Sequence, residues 1–361
     1  MNAPADKSPP DCVTLARQVQ THERTARQVV EEALDRANDL NDDWRMFITV
    51  TSDIARRQAE AVDRQVAAGR KLLLAGVPFG VKDLFDAAGT PTTAGSRMFA
   101  ERIAKRDSAV VERLVAAGAV LIGKLNLHEC AFGFTGENAT YGDCRNPWDR
   151  ERIAGGSSSG SAVAVALGVC PFTIGSDTGG SIRHPSALCG LTGLKPTYGR
   201  VSRRGGIPLS WTMDHVGPIA RSAAEAAAIL QVIAGRDEAE ETSSQRVVPD
   251  YGRALAVPLR GLKLGVPENW FFDALEPDVA SAVEKAIDEL VRLGAARIKM
   301  PLPYLEEVVG AHRAVIFSEA SAYYQPYLQA EERAAPDGRR FADDIRPLLQ
   351  AGLFLPAVDY V

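Results

Sequence analysis

Three stretches of this 361-residue sequence carry residue types that can do chemistry: Lys82 at the end of an apolar run, Gly155 to Ser161 (GGSSSGS), and Gly175 to Ser181 (GSDTGGS). The first glycine-serine run opens into Ala162 to Leu167, apolar on every side. Such a turn presents backbone N–H groups and hydroxyls at the start of a buried helix, where negative charge is favoured. A phosphate loop would need Gly-Lys-Ser/Thr after its spacer, whereas Ser161 is followed by Ala162 and Val163, so a nucleotide is not the expected ligand. Gly156 to Gly160 fits GxSxG with Ser158 at its centre, the pattern of a nucleophile elbow. Elbow enzymes also need a downstream acid and histidine, and His184, His215 and His312 have no evident acidic companion. The five histidines are scattered, with none at the spacing of a zinc-binding helix. A pyridoxal site, with Lys82 as Schiff base and the loops on phosphate, stays open on composition alone.

The remaining chemistry is a serine nucleophile with a lysine base. In Gly179-Gly180-Ser181 few side chains obstruct the backbone, so consecutive N–H groups can converge on an oxyanion forming beside the Ser181 hydroxyl. Thr178 can add another donor. A lysine acts as a base only when neutral, which asks its pKa to fall by about 3 units, roughly 4 kcal/mol of differential solvation. Val81, Leu84 and Phe85 around Lys82 are suited to that burial.

The elements that would position these residues alternate between helix and strand. Thr25 and Gln28 form a capping box ahead of Val29, Val30, Ala33, Leu34, Ala37 and Leu40 at helical spacing. A charged helix is expected over 52–68, ending at Gly69, and then a strand over 72–81, broken by a Gly and a Pro, with Lys82 and Asp83 at its far end. Helix 108–117 precedes strand 120–122, and the same unit recurs as strand 262–266, helix 278–293 with Val279, Val283, Ala286, Ile287 and Leu290 on one face, and strand 296–300, the order that builds a parallel sheet. Another capped helix runs from Ser222 to Gly235. Residues 153–219 mix Gly, Ser, Thr and Pro with apolar runs, which reads as a folded core full of tight turns. The acidic stretch 237–246 reads as a surface connection.

Composition narrows the partners. Hydrophobic residues make up 46% and charged residues 24%, those of a globular chain, and the net charge of −5 with dispersed basic residues argues against direct nucleic-acid binding. Five cysteines without CxxC spacing, and a polar start at Met1 to Pro10, suggest a reduced, cytoplasmic protein. No apolar run is long enough to predict a membrane span. The sequence stops just after Pro356 opens a helix, which suggests a shortened version of a longer protein.

Read together and in order, several segments resemble the amidase signature family of serine hydrolases. They are Gly76 to Asp83 (GVPFGVKD), Gly123 to Asn126 (GKLN), Arg145 to Trp148 (RNPW), the glycine-serine loop, Gly175 to Pro185, Cys189 to Ser202, and Asp214 to Pro218 (DHVGP). The resemblance implies an α/β/α layered fold with a mixed central sheet covered by helices. It implies one domain over 1–361: N-terminal helices in 1–70, a catalytic core in 71–235, and a variable part in 236–361. It places a Ser, cis-Ser, Lys triad on Ser181, Ser157 and Lys82, with oxyanion donors on the backbone of Thr178, Gly179, Gly180 and Ser181. Asp177 and Arg183 would brace the loops, with Arg183 a candidate contact for a substrate carboxylate. The implied reaction is hydrolysis of a small-molecule carboxamide through an acyl-enzyme, without a cofactor; a homodimer is the assembly to test. Two other readings share the motifs: the glutaminase component of a tRNA-dependent amidotransferase, and an inactive remnant.

Overall fold

The computed structural model describes residues 10–333 and 340–361. They fall into two compact units, one comprising residues up to Tyr251 together with Ile316–Phe354, the other Gly252–Val315 with Leu355–Val361.

The first unit opens with α1 (Cys12–Gln20) and α2 (Ala26–Trp44). Thr25 caps α2, and Thr25 and Gln28 close the capping box reciprocally. There follow β1 (Phe47–Val50), α3 (Ser52–Ala67), β2 (Pro78–Lys82), α4 (Ala109–Ala116), β3 (Val120–Leu125), α5 (Ser159–Ala166), β4 (Phe172–Asp177), α6 (Arg183–Leu188), β5 (Thr192–Gly193), β6 (His215–Ala220) and α7 (Ala223–Ile233). The strands make one six-stranded sheet in the order β1-β3-β2-β4-β6-β5. Strand β2 runs parallel to β3 and β4, while β1 and β6 join antiparallel. The sheet is therefore mixed, and the fold is the α/β one expected.

Every residue of β2, β3 and β4 is buried, as strands covered on both faces must be. Phe79 of β2 stacks on Phe172 of β4 with ring centroids 5.8 Å apart. Helix α5 is buried from Ser159 to Val165, which explains a segment apolar all round. A Cβ on its Gly160 would lie 2.3 Å from the Met46 carbonyl oxygen, so only glycine lets this helix approach so closely. The expected strand over 72–81 begins instead at Pro78, because Gly76 turns the chain at φ +69°. The stretch 237–246 is more than a connection: Asp237 pairs with Arg204 at 2.8 Å and Glu240 with Arg203 at 2.8 Å.

Helix α8 (Tyr251–Ala254) closes this part of the chain. The second unit holds β7 (Lys263–Pro267), α9 (Pro277–Arg292) and β8 (Ala296–Met300), with β7 and β8 parallel. This is the predicted strand-helix-strand repeat. Of the apolar face predicted for α9, Ile287 is buried, whereas Val279 and Val283 are exposed. Helix α10 (Leu305–Glu332) returns the chain to the first unit at Ile316. Helices α11 (Ile345–Ala351) and α12 (Ala357–Tyr360) complete the described chain.

Candidate active site

Lys82 is the last residue of β2 and is fully buried. Its Nζ lies 2.6 Å from Ser157 Oγ and 2.9 Å from Ser176 Oγ. Burial drives its pKa down to about 7, with the charges of Asp177 and Asp214 pulling weakly the other way. An ammonium deprived of water and offered mainly hydroxyls loses its proton readily. A second buried lysine shows the contrast. Lys124 Nζ, on β3, sits 2.6 Å from Asp83 Oδ1 and donates to the Pro91 carbonyl and the Thr92 hydroxyl. Its charge is matched, whereas that of Lys82 is not.

Ser157 lies in the loop that enters α5, and the peptide bond from Gly156 to Ser157 is cis, as the resemblance implies. The Ser157 carbonyl accepts the His128 N–H at 3.1 Å. Next along the chain, the Ser158 N–H donates to the Ser181 carbonyl at 3.2 Å, tying the two glycine-serine runs together. The Ser158 hydroxyl is spent on β4: it donates to the Ser176 carbonyl at 3.2 Å and accepts the Ser176 N–H at 3.4 Å. Ser158 thus works as a peg between α5 and β4, a poor arrangement for an elbow nucleophile. Among the described residues no histidine ring hydrogen-bonds to Ser157, Ser158 or Ser181; His215 Nδ1 faces the Met213 and Asp177 carbonyls.

Ser181 follows β4 at the end of a turn braced by Asp177. Asp177 Oδ1 accepts the Gly180 N–H at 2.9 Å, and Oδ2 accepts the Ile182 N–H at 3.1 Å. Arg183 donates to both oxygens, Nη2 at 2.8 Å and Nε at 3.0 Å. Burial pushes the Asp177 carboxyl upward, but the hydrogen bonds and charge of Arg183 outweigh it and hold the pKa below the usual value. The Arg183 guanidinium is therefore engaged as a brace. Gly180 adopts φ +140°, open to glycine and strained for other residues. With its N–H on Asp177, the amides of the turn left without a hydrogen bond among the described residues are those of Thr178, Gly179 and Ser181. The Thr178 hydroxyl donates to Asp214 Oδ1 at 2.5 Å.

Lys82, Ser157 and the Ser181 turn therefore meet at the carboxyl ends of β2 and β4, where parallel strands open toward ligands. Ser176, the second partner of Lys82, also lines a cavity of about 290 Å³ walled by Leu84, Phe85, Ile207, Trp211 and His215. The sequence pattern did not single out Ser176, because its hydroxyl is one of several in a run of small residues.

The chain is similar to known proteins both in sequence and in structure. The chain is 44% identical over 313 residues to the A subunit of glutamyl-tRNA(Gln) amidotransferase from Chromohalobacter salexigens, covering 87% of this chain and 64% of that one. The same subunit from Roseiflexus is 42% identical over 330 residues, covering 91% and 68%. The chain thus spans about two thirds of the length of these curated relatives. Among solved structures, one from a vestigial protein complex bearing on the origins of an s-triazine catabolic enzyme superposes with a TM-score of 0.91 at 37% identity, covering 97% of this chain and 75% of that one. The native peptide amidase of Stenotrophomonas maltophilia superposes with 0.81 at 36%, covering 90% and 68%. With the Amidase family model matching residues 28–358, the chain belongs to the amidase signature family.

Proposed function

We propose that this chain is an amidohydrolase that cleaves a small carboxamide with Ser181 as nucleophile, Ser157 as proton relay and Lys82 as base. The observation that carries the reading is the 2.6 Å contact between a buried Lys82 amine and the Ser157 hydroxyl, with the lysine pKa brought to about 7. Neutral Lys82 takes the Ser157 proton as Ser157 takes that of Ser181, and the Ser181 oxygen bonds to the amide carbon. The carbonyl becomes an oxyanion facing the amides of Thr178 and Gly179, with Gly180 shaping the turn. The proton held on Lys82 returns through Ser157 to the departing nitrogen, the C–N bond breaks, and an ester on Ser181 remains. Water, deprotonated along the same relay, attacks that ester; the carboxylic acid leaves and Ser181 regains its proton.

Arg183 is already committed to Asp177, which favours a bracing role over recognition of a substrate carboxylate. A cytoplasmic location fits the five free, buried cysteines. Among the described residues no helix is long and apolar enough to cross a membrane.

The names of the amidotransferase relatives favour a second reading, in which glutamine is the amide and the chain works beside partner proteins. A panel of amides that includes glutamine, with copurification, separates the two. The central test is labelling by a fluorophosphonate followed by peptide mapping. The expected result is one adduct on Ser181, lost in Ser181→Ala and kept in Ser158→Ala. An adduct on Ser158 would sink the reading.

A further inference from the structure

Helix α10 carries a buried acid that the mechanism does not use. Glu319 is 1% exposed and faces the segment between β5 and β6. Its Oε2 accepts the Ser210 hydroxyl at 2.6 Å and the Thr212 N–H at 3.1 Å, and its Oε1 accepts the Thr212 hydroxyl at 2.7 Å. Ser210 also donates its N–H to Asp214, at 3.1 Å to either oxygen, and Leu209 donates to Asp214 Oδ2 at 2.9 Å. Asp214 Oδ1 in turn accepts the hydroxyl of Thr178. One chain of hydrogen bonds therefore runs from Glu319 through Ser210 and Asp214 to the first residue of the turn that ends in Ser181.

We propose that Glu319 is a positioning residue for the oxyanion turn, acting on Thr178 through Ser210 and Asp214. The inference rests on the serine-lysine reading given above. The turn is held at two points: Asp177 fixes Gly180, and Asp214 fixes Thr178. The first brace is local in sequence, within the 177–183 segment. The second reaches Thr178 through Asp214, which is held on one side by His215 in β6 and on the other by the 209–213 segment, and Glu319 holds that segment through two hydroxyls and one amide. Oxyanion donors work because they are fixed before charge develops. Releasing the far end of the chain lets the Thr178 amide drift while the nucleophile, relay and base stay in place. The role needs hydrogen bonding rather than charge. A glutamine can set its carbonyl oxygen where Oε2 stands and donate its amide to the Thr212 hydroxyl, which can turn to accept.

The test compares the rate of fluorophosphonate modification of Ser181 in the wild type, Glu319→Ala, Glu319→Gln and Ser210→Ala, each also combined with Thr178→Val. Expected is a loss of about tenfold in the maximal rate for Glu319→Ala and Ser210→Ala, the order that a sub-ångström misplacement produces. The half-saturating probe concentration should stay unchanged, and Glu319→Gln should hold near the wild-type rate. In the Thr178→Val background neither alanine variant should slow the reaction further, because the link they cut is already gone. A purely structural glue would give additive losses, and additivity would overturn the proposal. So would wild-type rates in the alanine variants, or equal losses for Glu319→Gln and Glu319→Ala. If Glu319→Ala does not fold, Ser210→Ala, which leaves the carboxylate in place, decides alone. Failure of the wild type to label at Ser181 would instead bring down the serine-lysine reading, and this inference with it.

Discussion

Replacing Lys82 by methionine separates the electrostatics of the site from its packing. Methionine is likewise unbranched and fills the space of the lysine stem, stopping one atom short of the amine. The variant should be inactive toward amides at every pH, since among the described residues no other base reaches Ser157 Oγ. Its stability relative to the wild type should be highest in acid, and the pH dependence of that difference can be worked out. The folded pKa of Lys82 lies at about 7, below the ordinary value of 10.5 expected in the unfolded chain. Between those values the unfolded state binds more protons, so wild-type stability rises with pH across the window and the full penalty applies below it. At about 1.4 kcal/mol per pH unit, the penalty approaches 5 kcal/mol in acid and falls by about 3 kcal/mol between roughly pH 6 and pH 9.5.

Methionine also strips a partner from Ser157 and from Ser176, at about 1 to 3 kcal/mol for each hydroxyl left unsatisfied. That loss does not depend on pH, so it shifts the whole difference without changing its slope. The assay is urea unfolding of both proteins, followed by tryptophan fluorescence at several pH values, with the difference in stability plotted against pH. The expected curve shows the methionine variant losing about 3 kcal/mol of relative stability as the pH rises through the window. A flat difference would mean that Lys82 titrates alike in the folded and unfolded chains, and the argument for a neutral lysine base would fall.

Other consequences are shorter to state. Because the base must be neutral, kcat/KM for amide hydrolysis should rise with pH through about 7 and level off above it; a profile falling through that range would contradict a lysine base. Asp83→Asn leaves the Lys124 charge buried beside a neutral amide and should destabilise the fold by about 3 to 5 kcal/mol, measured by the same unfolding assay. Ser158→Ala removes a peg between α5 and β4 and should lower stability by about 1 to 2 kcal/mol while Ser181 still takes the phosphonate label. Gly160→Ala puts a methyl group against the Met46 carbonyl and should cost more than about 3 kcal/mol, read as a fall in the urea midpoint.

Much of the fold was legible because local rules and tertiary packing agreed. Thr25 and Gln28 announce α2, and the apolar run after Ser159 announces a helix buried on all sides. The mixed character of the sheet was harder to read from spacing alone. Strand β1 is a four-residue segment with one buried side chain, and β5 has only two residues, so neither carries a period. The face of α9 misled for a different reason. Its spacing is helical, yet a periodic apolar face states what a helix can bury, not what covers it.

The site divides along the same line. Gly179-Gly180-Ser181 and the GxSxG run are both serine turns, and their residue types do not rank Ser181 above Ser158. What favours the proposed Ser181 is long-range: Ser158 turns its hydroxyl onto the β4 backbone, while Ser157 turns its own toward the amine of Lys82. The two lysines pose the same problem more sharply. Lys82 and Lys124 both sit in buried strands, and both are fully inaccessible. A carboxylate separates their chemistry, and it is Asp83, the neighbour of Lys82 in sequence. A side chain one step along the backbone points the opposite way from its neighbour when the chain is extended, so the acid written next to Lys82 reaches Lys124 on β3 instead. By satisfying Lys124 and turning away from Lys82, Asp83 leaves the Lys82 amine without an adjacent counter-charge. That division of partners leaves Lys82, whose pKa burial brings down to about 7, as the amine that the proposed mechanism uses for its base.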